Sequence, residues 1–322
     1  MLIPSEIATD LRLREPNLAP TKVARPHTVA RLHLRGFALG KMLPTCDMDT
    51  GDERSFSVKS ATVRKNYYNV KVAGTPLSPE TWLSQIEDRA APLLRDVAAD
   101  PTRVMMLSEE EEMLVARYVA TQRFRVPSHV KSVRAGVHSM ANSVRSLELD
   151  ILEKLTSAGK FAGLQAEWAR KSDEDLLEIK EPLDDAELTV DLLGLLPAWT
   201  AWLMAMPWRT GRVPSPYTLY TSDNPVATYT PKYRPFPQSS LAPTLWEQGH
   251  VLAISPEVLL WIDPMGYGAP PLRNTRRCED FSPWMTSVAR HLISRDADRF
   301  LYGRGPYISR ECAVRCLANV FA

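Results

Sequence analysis

The sequence predicts an α+β fold, predominantly helical with a small, mainly antiparallel sheet. Three observations carry that expectation. Helical spacing and helix-start signals dominate between residues 78 and 160. Alternating β-branched and aromatic residues are confined to 42–72, 216–229 and 249–263, far apart in sequence, so they would meet in one sheet enclosed by helices. The composition, 44% hydrophobic and 24% charged over 322 residues, is that of an ordinary globular chain with a sizeable core. Residues 1–24, with Pro4, Pro16 and Pro20, read as an N-terminal arm, and residues 25–322 as a single helix-rich domain built around the sheet.

Bulk properties exclude some functions. With 39 basic and 38 acidic residues the net charge is +1, so no overall electrostatic pull draws the chain to nucleic acid or an anionic membrane. Cys46, Cys278, Cys312 and Cys316 lack the neighbouring histidines of a structural zinc site and read as small buried hydrophobes in a reducing cytoplasm. The start Met1-Leu-Ile-Pro4 has no basic region followed by an apolar run, so a cytoplasmic location is expected. Leu192 to Trp208 carries no charge but contains Gly194, Pro197 and Pro207, which argues for a core helix broken near Pro197 and for no membrane partner.

In chain order, Pro26-His27 opens a helix expected to run to Phe37, with His27 at its entry and His33 toward its polar side. Asp47 to Asp52 is a turn cluster between extended segments, a hairpin signal; it lacks the spaced ligands of a calcium loop, so no metal is expected there. Tyr67 to Val72 continues as a strand. Ser78-Pro79-Glu80 starts a helix, with a cap oxygen, a proline at the first position and an acid in the first turn, and Trp82, Ile86, Leu93 and Leu94 face inward. Ser108 to Glu111 is a capping box for a second helix that buries Leu114, Val115, Tyr118 and Val119 and ends before Pro127.

Val130, Val133, Val137, Met140, Val144, Leu147 and Ile151 alternate spacings of three and four, a narrow apolar seam on a long helix. The seam packs within a helical domain or, read as a coiled coil, makes a helix-mediated homodimer. Gly159 would stop that helix, a short helix follows around Phe161–Arg170, and Asp173 to Glu187 reads as a solvated acidic loop and helix start. The apolar helix to Trp208 then delivers the chain into the strand Tyr217–Ser222 and the turn Asp223-Asn224-Pro225. Pro231 to Pro243 is a loop, Gly249 to Asp263 two short strands around Ser255-Pro256-Glu257, and the final helical regions bury Val288, Leu292 and Ile293 and end at Ala322.

Several of these landmarks together resemble one family. Pro26-His27 with Leu34-Arg35-Gly36-Phe37, Tyr67-Tyr68, Ile86-Glu87, Arg123-Phe-Arg125-Val-Pro127, Thr221-Ser222-Asp223-Asn224-Pro225-Val226 and Ser255-Pro256 keep the order of the motifs in the domain of unknown function 4238, over residues 25–303. Ala30, His33 and Ile254 depart from its pattern at a proline, an aromatic and a leucine. The resemblance implies a bacterial or fungal protein without an assigned activity, and it points to the polar residues inside these motifs.

Those residues are His27, Arg35, Glu87, Arg125, Asp223 and Asn224. A histidine and an aspartate make an acid/base pair, so His27 and Asp223 are the candidate catalytic residues. Arg125 could grip a phosphate or carboxylate, and Asn224, Glu87 and Arg35 could orient a ligand. Such a set suits a hydrolase acting on a phosphate or ester, with a small molecule or nucleic acid as partner. The competing reading is a non-catalytic binding or interaction module in bacterial defence or a mobile element, because no nucleophile elbow, phosphate loop, dinucleotide fingerprint or zinc motif is present and no cofactor is indicated. Asp223 and Asn224 before a proline are also ordinary turn residues.

Overall fold

The computed structural model describes residues 18–20, 26–72, 75–135, 185–230, 248–264, 276–304 and 308. In order the elements are β1 (Ala19–Pro20), α1 (Arg31–Phe37), β2 (Met42–Asp47), β3 (Glu53–Ser57), β4 (Val70–Val72), β5 (Thr75–Ser78), α2 (Glu80–Ala99), a 3-10 turn (Pro101–Met106) and α3 (Glu109–Phe124). A helical run over 127–135 follows. Then come α4 (Asp185–Gly194), α5 (Leu196–Ala205), β6 (Trp208–Arg212), β7 (Thr221–Ser222), β8 (Val226–Tyr229), β9 (Gly249–Ala253), β10 (Val258–Ile262), β11 (Arg276–Cys278), α6 (Pro283–Asp296) and β12 (Phe300–Tyr302).

The strands form three sheets, ordered β1-β5-β4, β11-β6-β10-β9-β8 and β3-β2-β12-β7. This corrects the expectation of a predominantly helical protein around one small sheet: the fold is mixed, and the three β segments read from sequence are divided among three sheets. The missed strands explain the error. Trp208–Arg212, Arg276–Cys278 and Phe300–Tyr302 are three to five residues long and sit beside proline, arginine or glycine, so none shows a readable alternation by itself. Trp208 was expected to end the apolar helix, yet it begins β6, which lies between β11 and β10. Gly211 in β6 permits a close approach, since a Cβ there would lie 1.6 Å from the Glu279 carbonyl oxygen.

The five-stranded sheet is the middle layer. Val226, Leu252, Leu260 and Ile262 face a core shared with α2, α3 and α5, where Trp82, Ile86, Leu114, Tyr118 and Trp199 pack. Their neighbours Ala227, Val251, Leu259 and Trp261 face a second core with Ala289, Leu292 and Ile293 of α6 and Leu43 and Leu301 of the four-stranded sheet. Successive strand residues point to opposite faces, and both faces are covered, which is why β10 is apolar throughout.

Local expectations fared unevenly. The β2–β3 hairpin, the β9–β10 hairpin and the capping box of Ser108 with Glu111 are present. α1 starts at Arg31, and His27 precedes it in a bridge with Val63. His33 is buried rather than polar-facing, with Nε2 2.8 Å from the Thr221 hydroxyl. Tyr67 and Tyr68 are turn residues, because Asn66 adopts a positive φ of 54° just before them.

The apolar stretch is two helices, α4 and α5, bent by 50° at their break. No single described helix is long and apolar enough to cross a membrane, although this bent pair passes by length and composition. Cys46 is disulfide-bonded and Cys278 is a free thiol, so the expectation of reduced cysteines fails at Cys46. Val130 is buried and Val133 half-buried; the rest of the apolar seam, Gly159, the helix around Phe161–Arg170, the Pro231–Pro243 loop and the C-terminal residues lie outside the described residues.

Candidate functional site

The Ser222-Asp223-Asn224-Pro225 corner is where the chain changes sheets: Thr221–Ser222 pairs with β12, and Val226–Tyr229 pairs with β9. Pro225 ends one pairing without a donor, and the Ser222 hydroxyl closes the turn on the Asn224 carbonyl at 2.7 Å. The side chains then reach across to the end of α6. Asn224 Nδ2 donates to the Asp296 carbonyl at 2.8 Å. Asp223 accepts three backbone amides, from Asp298 at 2.8 Å, Arg299 at 2.9 Å and Phe300 at 3.1 Å. The corner therefore fixes the link from α6 into β12. Burial, aided by nearby Asp298, pushes the Asp223 carboxyl up to about 6 against the opposing effect of those three amides.

Asp223 also lines a cavity of about 440 Å³. One wall is the 60–64 loop, in which Thr62, a β-branched residue, has a positive φ of 57° and is held by the Thr28 amide and hydroxyl on its carbonyl, at 3.0 and 3.1 Å. A second wall is β12. Phe300 and Tyr302, two apart on one strand, both line the cavity, while Leu301 between them is buried in the core. Phe56 meets Phe300 edge-on at 6.0 Å. At the mouth, Arg64 and Lys131 share the carboxylate of Asp298, at 3.1 and 3.0 Å. Tyr302 is almost completely buried, and its hydroxyl makes no hydrogen bond with any described residue although it borders the cavity. Burial, then the charge of Asp223, pushes that phenol well above its ordinary range, so it stays protonated.

A second polar cluster lies behind this wall. Arg125, on the turn after α3, pairs with Glu87 of α2 and donates to the His27 carbonyl. The Tyr68 hydroxyl bridges the His27 and Arg125 carbonyls at 3.1 and 3.2 Å. Burial opposes the charge of Arg125, but Tyr68, Glu87 and Glu80 outweigh it and strengthen its hold on its proton. The His27 ring bonds the Ala61 carbonyl at 3.0 Å, and burial, with the charges of Arg31 and Arg125, lowers it to about 4, leaving it neutral near pH 7.

The structure thus gathers His27, Glu87 and Arg125 at one place and sets Asp223 and Asn224 at another. Thr28 and Pro127, each near a member of the first cluster, line the cavity with Asp223, but His27 and Arg125 do not. Arg35 is exposed on α1, away from both. Sequence reading missed Phe56, Arg64, Lys131, Asp298, Phe300 and Tyr302. The aromatic pair at 300 and 302 was the available signal, an i, i+2 pair marking one face of a strand. Among the described residues no group of three or more His, Cys, Asp or Glu side chains is placed to hold a metal ion.

Neither a curated protein nor a solved structure matches the chain. The sequence model of one family, described as "Protein of unknown function (DUF4238)", matches residues 25–266, a span that holds the Asp223 corner and the Arg125 cluster and stops short of β12. The chain belongs to the DUF4238 family.

Proposed function

We propose that this protein is a non-catalytic binding module whose ligand, a small organic anion, sits in the cavity beside Asp223. The observation that carries this reading is the mouth of the cavity, where two cationic side chains, Arg64 and Lys131, converge on the one carboxylate of Asp298, in a lining whose other charges are Arg299, Asp49 and Asp223. The candidate acid/base residues support it from the other side. Asp223 is occupied by three backbone amides, and the His27 ring is bonded to a carbonyl and does not line the cavity. Thr62 adds to it, since backbone strain of this kind gathers at ligand clamps. The test is calorimetric titration with a panel of phosphates and carboxylates. Binding that weakens about tenfold in the double variant Arg64→Gln, Lys131→Gln supports the reading, and no binding by any anion removes it.

A hydrolase acting on a phosphate or ester is the second reading, favoured by one observation: a carboxyl raised to about 6, beside a second carboxylate in a cavity, is the profile of a general acid. Purified protein screened on generic esters, phosphodiesters and nucleic acids decides it. Turnover that disappears in Asp223→Ala, in protein still folded, would replace the first reading with this one.

A further inference from the structure

We propose that the cavity takes a planar heteroaromatic anion of mononucleotide type, with its charge at Arg64 and Lys131, its ring against Phe56 and Phe300, and a polar ring edge on the Tyr302 hydroxyl. This rests on the cavity being an anion site. Three independent features of the lining select that ligand.

The first is size. At about 440 Å³ the cavity falls in the range of small-molecule sites and far exceeds a lone phosphate or carboxylate, so the anion must carry a body. The second is the shape and chemistry of the wall. Phe56, Phe300 and Tyr302 are three rings on one sheet; Phe300 and Tyr302 lie near-parallel at 28° with centroids 6.3 Å apart, and Phe56 closes the set edge-on. The Arg54 guanidinium lies over both the Phe56 and Phe300 rings, 5.1 and 5.8 Å from their centroids, and Arg299 lies 5.0 Å from that of Phe300, so these rings have cationic neighbours and a ligand meets the part of each that lines the cavity. Flat aromatic surface of this kind favours a flat partner, and stacking tolerates any base.

The third is the Tyr302 hydroxyl. Buried polar groups are normally satisfied, and leaving one unmade is costly. Here the ring is almost completely buried, but the hydroxyl is not sealed off: it opens on the cavity and has no hydrogen-bond partner among the described residues, so its bond goes to whatever fills the cavity. A ring edge with nitrogen or oxygen substituents would satisfy it; a hydrocarbon ring would not. The ring edge and the anion must occupy separate places, since Tyr302 stands on the strand wall and Arg64 and Lys131 come from the opposing loop and the 127–135 run.

The test uses the full chain and three probes: AMP, ribose 5-phosphate and benzoate, titrated into wild type, Tyr302→Phe and Arg64→Gln. AMP is expected to bind about tenfold or more tighter than ribose 5-phosphate, because only AMP has a ring to stack. Tyr302→Phe is expected to weaken AMP by about three- to tenfold and leave ribose 5-phosphate unchanged, since one hydrogen bond is lost. Arg64→Gln is expected to weaken both phosphates. Equal affinity for AMP and ribose 5-phosphate overturns the proposal, as does a Tyr302→Phe protein that binds AMP like wild type. Benzoate binding with no AMP binding would also overturn it while leaving the anion site standing. If none of the probes binds, and the wider anion panel also fails, the anion site itself falls.

Discussion

Around Arg125 and around Tyr302 the protein buries similar groups, tyrosines and carboxylates beside arginines, and treats them in opposite ways. Arg125 turns both terminal nitrogens inward, to Glu87 and the His27 carbonyl, and Tyr68 bridges two carbonyls beside it. At the cavity, Arg64 and Lys131 are solvent-exposed and share the Asp298 carboxylate, and the Tyr302 hydroxyl in the same lining has no hydrogen-bond partner among the described residues. The first arrangement spends both terminal nitrogens of Arg125 on the protein, leaves only its Nε unpaired, and holds elements together. The second has capacity left over, which is what a binding site needs.

Substitutions should separate the two. The largest effect is expected from Arg125→Met, which removes the cation paired with Glu87 and leaves the His27 carbonyl with only the Tyr68 hydroxyl. Breaking one partner of a buried pair costs about 3–5 kcal/mol, read as a lower urea midpoint with an unchanged slope. Asp223→Ala should cost about 2–3 kcal/mol, because three amides at 298–300 lose their acceptor; an unchanged midpoint would show that the corner does not fix β12.

Acid should act on the interior next. His33 and His250 are buried, and burial lowers both to about 3 from 6.5. A folded value below the unfolded one means stability is full above pH 6.5 and falls as pH drops toward 3, by about 2 kcal/mol per histidine at pH 5. Asp223, shifted upward to about 6, works in the opposite sense between pH 6 and 4 and offsets part of one histidine. Urea midpoints at pH 7 and pH 5 measure this, and His250→Leu should shrink the difference. The smallest effect is expected from Tyr302→Phe, within about 0.5 kcal/mol of wild type in stability, since no protein hydrogen bond is lost. A large destabilisation there would erase the contrast between the two regions.

Local signals were legible where chemistry is local. The capping box at Ser108, the turn at Asp47–Asp52 and the Ser255-Pro256-Glu257 hairpin were each written in a few adjacent residues. The Asp223 corner was legible as a turn for the same reason. What the sequence could not show was assembly. β12 is three residues long and is a strand because β2 and β7 flank it, the partners of Leu301 being Cys46 and Ser222, 255 and 79 positions away. The cavity inherits that difficulty, since its walls come from residues 28, 49, 56, 60–64, 127, 131, 223, 298–300 and 302. Arg125 and Glu87 were readable as ligand-binding candidates; that they grip each other follows from the burial the fold imposes on Arg125.

The Asp223 corner has one more consequence, for the order of synthesis. Asp223 waits for amides 75 to 77 residues later, and Asp47 for the Arg299 guanidinium 252 residues later. A chain leaving the ribosome from its N-terminus can complete the hairpin of residues 42–57 early, yet it holds an open sheet edge and no cavity until β12 emerges. Contacts this distant make for slow closure. Ligand capture would then belong only to the finished chain, and a chain released before residue 296 would carry the family's motifs without the pocket.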